Sequence, residues 1–580
     1  MNPENHQTVV KSAGKSSIFR SLEIKGLSHK SAKAFTTGRA AKILRSVSRL
    51  LAFTPARVYG LMFLSFGILT LFLHLGEYYF LNDPAVNFSS LVIGAVFALL
   101  SLFLIPLEKP ICIALQSFAV TDFLLFEFFS INRMQPSDSE HKLSGAVGII
   151  FGSLLSVFGF FLPTEYAALL IVGFLFVTVA MVSPEFPYIF SLLIFPYLSL
   201  IPGLDLFFVI LIALTVISFA RKVLIGKRIY SFGIYDVLFA VFILVTLISG
   251  VILGGDGSSR ESLFVMVFAL GYIPASNLSI NRRLFDCVSG AIVASSIPVS
   301  LYSVIRYVID LIFYERASSR AFFSSPEILA VFLVTSAIFA LYLSIKRTRN
   351  VKKRYYFSAF SLSILAILTT ECYAIVIAFL LLLLSGATLR KRKVPVYLLI
   401  PILLVPILTL FVGNTVLSAV SNFLNIEPSL PARVDMLRTS LAEFFSNFFF
   451  GLGLGEGSES LLGSCNLYLG IALSLGIFAI CVLILLVILR VFHLGIYKKY
   501  FSDSEVNFYV EISTLVLVAI LVLGSYFNVF ADIEMIYFFV AIFATGSAAL
   551  RVSHKEKLER HSYYKDLGTS DSAAIDLFLK

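Results

Sequence analysis

Long apolar runs, each separated from the next by a short polar segment, cover most of the chain between residues 58 and 550. Most runs hold roughly 15–24 residues, close to the ~20 that an α-helix needs to cross the hydrocarbon core of a membrane. The pattern predicts an all-α, polytopic membrane protein with about 12–16 transmembrane helices and one large extracytoplasmic loop. The candidate spans are residues 58–81, 89–107, 144–162, 166–183, 186–201, 204–220, 233–253, 262–276, 285–307, 327–345, 355–369, 371–387, 394–412, 466–489, 508–528 and 533–550.

Two further segments are expected to lie along the membrane surface. Segment 110–131 is apolar but carries Asp122 and Glu127, so we interpret it as interfacial or re-entrant. Residues 40–53 place apolar side chains on one helical face and basic ones on the other, which is typical of a helix on an anionic leaflet. The preceding tail is polar and basic and is expected to be disordered, a solvated tail being an equally consistent interpretation.

Composition excludes a soluble globular protein. The 580 residues are 58% hydrophobic, with a mean hydropathy of +0.93, which is more apolar surface than a soluble core of this length buries. The net charge of +10 comes from short basic runs between apolar segments, a pattern that indicates membrane topology and not nucleic-acid binding. The five cysteines form no Cys-x-x-Cys pair, so we expect no metal site.

The basic runs alternate with the spans. They lie at residues 221–228, 346–354, 390–393 and 490–499, after residue 551, and in the N-terminal tail. With the spans given above, all of them fall on one side, and lysine and arginine are enriched in cytoplasmic loops. Both termini are therefore predicted to be cytoplasmic.

The same alternation leaves five arginines on the outer side, against the usual bias. Arginine binds phosphate well because its planar guanidinium contacts two oxygens at once and keeps its charge. We therefore expect these residues to bind a diphosphate at the membrane surface. The alternative is pairing with the adjacent acids Glu261, Glu315 and Asp435. The five candidates are Arg260, Arg316, Arg320, Arg433 and Arg438.

A glycine-rich loop lies inside the large outer segment, residues 413–465. Because Gly451, Gly453 and Gly455 neither follow a strand nor open a βαβ unit, a nucleotide-binding fingerprint is rejected. These glycines are expected to let the backbone turn tightly where the loop re-enters the membrane.

Polar residues just after this loop are candidates for catalysis or for helix capping. Glu456 and Glu459 are candidate general bases, since an apolar surface nearby would raise their pKa values, or they are solvated acids. Asn466 stands at an N-cap position, and Tyr468 is a candidate interfacial anchor.

Residues 310–490 resemble the O-antigen ligase/polymerase family of polytopic membrane glycosyltransferases. In that family an outer-helix Arg precedes a Gly-x-Gly-x-Gly loop, which is followed by His-Asn-x-Tyr-Leu and then by Glu-x-Gly. Residues 316–333 are similar to a second family element, with Phe323, Pro326 and Ala330 at matching positions. The residues that match the main signature are Arg433, Asn447, Gly451, Gly453, Gly455, Asn466, Tyr468, Leu469 and Gly476.

Two signature residues are replaced. Cys465 stands where the family has histidine, Ser474 stands where it has glutamate, and the predicted outer loops contain no histidine. A family Ser-Arg pair appears here as Thr370-Glu371. Cys465 could act as a thiolate beside a positive charge that lowers its pKa. Otherwise Glu456 or Glu459 takes over the role of base, the protein relies on positioning and charge alone, or it has lost activity.

The resemblance implies transfer of a glycan from a polyprenyl-diphosphate carrier to an acceptor sugar hydroxyl, at the outer face of a bacterial inner membrane. The outer arginines would hold the diphosphate leaving group as the C–O bond breaks. The expected partners are the polyprenyl-diphosphate-linked glycan, an acceptor glycan and membrane lipids, with no cofactor, metal or nucleic acid. Ligase and polymerase differ in the acceptor, and the sequence leaves that choice open.

This interpretation divides the chain into five parts. They are a basic cytoplasmic tail with its interfacial helix (1–56), N-terminal transmembrane helices (57–309), the ligase-like core (310–490), the last transmembrane helices (491–550) and a cytoplasmic tail (551–580).

Two other functions remain open. A transporter or flippase of lipid-linked glycan would bury charged residues within spans at matching positions of two halves. The sequence shows few such residues in its second half and no internal repeat. A non-catalytic relative of the family would bind the carrier lipid or a partner without transferring a sugar.

Overall fold

A computed structural model gives the architecture of the chain. It describes residues 54–80, 88–110, 144–200, 203–224, 230–253, 256–278, 282–314, 319–346, 350–372, 430–454, 466–500, 504–524 and 527–566, besides a few short pieces before residue 51 and between residues 113 and 122.

Nearly all of the described chain is α-helical, as predicted. The α-helices are α1 (Ala56–Phe80), α2 (Phe88–Leu104), α3 (Gly145–Phe161), α4 (Thr164–Val182), α5 (Glu185–Ile194), α6 (Leu204–Leu224), α7 (Ile234–Thr246), α8 (Asp256–Leu270), α9 (Tyr272–Leu278), α10 (Arg282–Tyr314), α11 (Pro326–Lys346), α12 (Asn350–Leu368), α13 (Leu430–Ser446), α14 (Leu467–Tyr500), α15 (Ser504–Gly524) and α16 (Glu534–Asp566). Helices α5 and α7 continue as a 3₁₀ turn (Phe195–Leu200) and a π-helix (Leu247–Leu253), and a second 3₁₀ turn (Val529–Ala531) precedes α16. Two strands of two residues each, β1 (Lys25–Gly26) and β2 (Ser231–Phe232), pair in antiparallel orientation.

The predicted fold class is confirmed: the chain is an all-α protein with many apolar helices. By length and composition, seven described helices could cross a membrane, and six shorter apolar helices accompany them. The predicted span 394–412, all but the first two residues of span 371–387, and most of segment 110–131 lie outside the described residues. Helix α16 extends beyond its predicted span to Asp566, into the predicted C-terminal tail.

The alternation of basic runs assigns each helix end to one of two sides. Polar contacts in the structure join helix ends that are assigned to the same side. At the predicted outer end, the Ser199 hydroxyl donates to the Phe322 carbonyl (2.6 Å), and the Tyr307 hydroxyl donates to Glu371 (3.1 Å). The structure thus brings segments predicted to be on one side to the same end of the bundle. Which side of the membrane that end faces stays a prediction.

The opposite, predicted inner end has its own polar contacts. Lys222 Nζ lies 3.9 Å from the Glu185 carboxylate, and the Tyr509 hydroxyl donates to Asp286. Both contacts join segments that the sequence places on the cytoplasmic side. Between the two ends, α11 and α16 are the most enclosed spans, with 83% and 94% of their apolar windows buried. They form the centre of the bundle.

Small residues hold the N-terminal helices together. Helix α3 turns Gly148, Gly152, Ser156 and Gly159 inward, at a spacing of three or four residues, and packs against α1. In membranes, small residues of this kind allow helix backbones to approach closely. A Cβ atom at Gly152 would overlap the Met62 carbonyl oxygen, so the contact requires glycine.

We predict that Gly152→Ala lowers the thermal unfolding temperature in detergent, because the methyl group forces α3 away from α1 at a cost of roughly 1–3 kcal/mol. Gly173→Ala is the matched control. At that position the nearest atom is 4.0 Å from the new Cβ, so the change is expected to be neutral or slightly stabilising. Equal unfolding temperatures for the two variants would contradict the close contact of α1 with α3.

Candidate functional site

A cavity of about 450 Å³ lies at the predicted outer end of the bundle. Its volume falls in the range typical of small-molecule sites. One wall is aromatic, and the polar residues come from separate elements that converge here. The polar and aromatic residues that line it are Phe195, Ser199, Asp205, Arg320, Phe322, Phe323, Ser324, Asp532 and Glu534.

The turn at residues 319–325 forms one side of this cavity, and contacts from neighbouring elements fix it. The Ser319 amide donates to the Thr369 carbonyl (3.1 Å), and Ala321 adopts φ +46°. That conformation is uncommon for a residue with a side chain and persists where the surroundings enforce it. Because the turn is held in this way, the exposed Arg320 side chain starts from a fixed backbone at the mouth of the cavity.

Asp532 faces the same turn from the segment before α16. Its Oδ2 accepts a hydrogen bond from the Ser324 amide (3.2 Å). Burial raises the pKa of the Asp532 carboxyl, and hydrogen bonds from Ser324 act in the opposite direction. The Asp532 carboxyl is therefore partly buried, and the Ser324 amide orients it through Oδ2. Its pKa lies above that of an ordinary aspartate.

Two of the five predicted arginines belong to this region. Arg320 lines the cavity, and Arg260 Nη2 lies 3.0 Å from Oδ2 of Asp205, which lines it too. Both guanidinium groups are largely exposed. Asp205, at the start of α6, thus pairs with Arg260 and lines the same cavity as Arg320. It is a different partner from the adjacent Glu261 that the sequence suggested.

The other three arginines are not joined to the cavity by any described contact. Arg438 lies on α13, with Nη1 3.5 Å from Asp435 in an exposed pair, which is the alternative that the sequence left open. Arg433 lies in the same helix, and its side chain is outside the described part of the chain. Arg316, together with Gly455, Glu456, Glu459 and Cys465, also lies outside it.

The glycine loop meets a break in α14. At Gly476 the backbone has φ +77° and ψ −175°, which interrupts the helix. The amides of Leu452 and Gly453 donate to the carbonyls of Leu473 and Ser474 at 2.6 and 3.0 Å. The loop therefore supplies hydrogen-bond donors to the backbone carbonyls at the break. Such donors must come from the protein, because lipid offers none.

Glycine is needed on both sides of this contact. Gly451 and Gly453 have φ values of +71° and +92°. A Cβ atom at Gly451 would overlap the Leu473 carbonyl, and one at Gly476 would overlap the Phe449 carbonyl.

The Ser249 hydroxyl, in the π-helix after α7, lies within hydrogen-bond distance of the Phe450 carbonyl in the loop and the Ser474 carbonyl at the break.

The start of α14 is anchored by the two remaining predicted residues. Asn466 caps the helix, since its Oδ1 accepts from the Leu469 amide at 2.9 Å. The Tyr468 hydroxyl donates to the Leu521 carbonyl (2.9 Å) and so ties α14 to α15.

A buried polar cluster occupies the predicted inner end. Arg490 is 1% exposed, and its Nη2 lies 3.1 Å from the Phe543 carbonyl. Nearby, Arg551 Nη2 lies 2.6 Å from the Asp236 carboxylate, and the Tyr235 hydroxyl bonds His493 (2.6 Å). The sequence placed Arg490 only in a basic run on the predicted cytoplasmic side. The structure instead buries it among helices α7, α14, α15 and α16.

Sequence reasoning missed the carboxylates of the outer cavity. Acidic residues are common at helix starts because the helix dipole stabilises a negative charge there. All three cavity carboxylates, on Asp205, Asp532 and Glu534, lie within a residue or two of a helix start and so did not stand out. The signal that would have found them is their position at outer-side helix ends together with Arg260 and Arg320. Among the described residues, no group of three or more histidine, cysteine or acidic side chains could hold a metal ion.

Compared with known proteins, the chain matches no family model and no curated sequence.

We predict that Gly476→Ala destabilises the contact between the glycine loop and α14, because φ +77° with ψ −175° is accessible essentially only to glycine and costs about 1–3 kcal/mol otherwise. Limited proteolysis between α13 and α14 should be faster in this variant. Gly290→Ala is the control, since its Cβ would meet its nearest neighbour at an ordinary 3.4 Å. Identical cleavage rates in the two variants would rule out the packed arrangement.

Proposed function

We propose that this protein transfers or polymerises polyprenyl-diphosphate-linked glycan at the extracytoplasmic face of a bacterial inner membrane, in the manner of O-antigen ligases and polymerases. The observation that carries the proposal is the placement of Arg320 at the mouth of a 450 Å³ cavity lined by carboxylates and phenylalanine rings. A guanidinium at the membrane surface suits a diphosphate, and a polar cavity with aromatic rings suits a sugar.

Charge determines where the diphosphate is expected to bind. Three carboxylates line the cavity, against the single guanidinium of Arg320, and Arg260 is engaged with Asp205. A diphosphate deep in the cavity would be repelled by these acids. At the mouth, beside the exposed Arg320, water screens the acids and the lipid tail stays in the membrane.

In this arrangement Arg320 stabilises the charge that develops on the diphosphate as the glycosidic C–O bond breaks. The acceptor sugar occupies the cavity, where carboxylates accept hydrogen bonds from its hydroxyl groups. The turn at residues 319–325 positions the two substrates relative to each other, because it carries Arg320 and also contacts Asp532.

A transporter of lipid-linked glycan is the second candidate, and two observations favour it. Transporters commonly contain broken helices near their binding sites, and α14 is interrupted at Gly476. Ionisable residues buried within spans are often functional, and Arg490 is fully enclosed. Both features have a structural role here, since Gly476 admits the glycine loop and Arg490, on α14, contacts helices α7, α15 and α16. We therefore rank transfer first.

We predict that Arg320→Ala weakens binding of farnesyl diphosphate, a short polyprenyl diphosphate, by about 10–100-fold in the detergent-solubilised full chain. A hydrogen bond to a charged group contributes roughly 1.5–3 kcal/mol. Arg320→Lys should lose less, since it keeps the charge but not the two-pronged geometry. Arg306→Ala is the matched control, because Arg306 is exposed on α10 and paired with Asp310 at 3.0 Å.

Turnover is then tested with proteoliposomes, the lipid-linked glycan extracted from the source organism, and the acceptor glycan from the same cells. Wild-type protein should release free polyprenyl diphosphate, detected by mass spectrometry, and Arg320→Ala should not. Movement of intact carrier between leaflets without release would instead support the transporter. Binding without either process would indicate a non-catalytic relative.

A further inference from the structure

We propose that Asp532 is the catalytic base of this site: it accepts the proton of the acceptor hydroxyl. This inference rests on the glycosyl-transfer function proposed above. It also identifies a group that can do the work of the histidine replaced by Cys465.

The geometry singles out Asp532 through its connection to the arginine turn. Ser324 is four residues after Arg320 in the same turn, and its amide donates to Asp532 Oδ2 at 3.2 Å. One carboxylate oxygen is therefore oriented by the segment that carries Arg320. An effective base is commonly held in this way by a third group. Since Arg320 and Asp532 line the same cavity, and the turn that carries Arg320 also donates to Asp532, an acceptor hydroxyl at Asp532 and a donor bound at Arg320 occupy one site.

The surroundings of Asp532 also suit proton transfer. Burial raises the pKa of its carboxyl, which makes the carboxylate a stronger base than one in water. Asp205, in contrast, already has Oδ2 engaged by the guanidinium of Arg260 at 3.0 Å. Glu534 lines the same cavity from the first turn of α16 and is the other candidate for the base. The experiment must therefore distinguish Glu534 from Asp532.

The acceptor oxygen forms a bond to the anomeric carbon of the donor sugar while the bond from that carbon to the diphosphate oxygen breaks. The electron pair of the broken bond remains on the diphosphate, beside Arg320. The proton of the acceptor hydroxyl passes to the Asp532 carboxylate and then to water at the cavity mouth. No redox partner is involved.

The test compares wild type, Asp532→Asn, Glu534→Gln and Asp310→Asn in proteoliposomes, with release of polyprenyl diphosphate from extracted lipid-linked glycan as the readout. In Asp532→Asn the amide oxygen of the new side chain can still accept from Ser324, so the fold is retained. This variant should lower the maximal rate by about 10²–10⁴-fold, as loss of a general base does. Its affinity for farnesyl diphosphate should stay the same or increase, because a negative charge is removed. Asp310→Asn, which removes an acid paired with Arg306 outside the cavity, should keep the wild-type rate.

The pH profile distinguishes a base from a merely structural aspartate. A base works only when deprotonated, so the wild-type rate should rise with pH across a range above the ordinary aspartate pKa of about 3.9, and Asp532→Asn should lack this rise. An Asp532→Asn rate within about threefold of wild type overturns the proposal, as does a pH-dependent rise that Glu534→Gln abolishes and Asp532→Asn keeps. In both cases Arg320→Ala still reports on the transfer function itself. No release by wild type would refute both proposals together.

Discussion

A backbone carbonyl that loses its helical partner inside a membrane bundle must find another donor within the protein, because lipid offers none. Helix α14 meets this requirement at Gly476, where the amides of Leu452 and Gly453 replace the lost helical donors. The same contact sets the position of residues 447–454, the described part of the segment after α13. The bundle accommodates the break because glycine occupies both close contacts, Gly451 against the Leu473 carbonyl and Gly476 against the Phe449 carbonyl.

Charged groups follow the same rule at both ends of the bundle. At the outer end, Asp205 and Asp532 lie at helix starts, where Arg260 and the Ser324 amide compensate them. At the inner end, Arg490 is enclosed by a carbonyl, two serine hydroxyls and aromatic rings, and Gly546 leaves room for its guanidinium. Burying such a charge costs several kcal/mol unless its hydrogen bonds are met. Among the described residues, the predicted outer end combines charged side chains with a cavity, and the proposed chemistry is assigned there for that reason.

The spans could be predicted from the sequence because lipid imposes a length and a polarity on each helix. The segment 327–345, for example, coincides almost residue for residue with α11. Arg260 and Arg320 could be singled out because arginine on the outer side departs from the usual bias. Asp532 could not, since its partner Ser324 is 208 residues away and only the folded chain brings them together. The burial of Arg490 likewise depends on packing between helices distant in sequence.

The central claim is that a polyprenyl diphosphate binds at the mouth of the cavity, beside Arg320. Photo-crosslinking tests this directly, with the full-length protein in membranes and a polyprenyl diphosphate that carries a diazirine near its diphosphate. Mass spectrometry should locate the attached residues in segments 195–205, 319–325 and 529–535, and excess farnesyl diphosphate should suppress the attachment. Attachment confined to other segments, or attachment at these segments that the competitor leaves unchanged, would contradict the account.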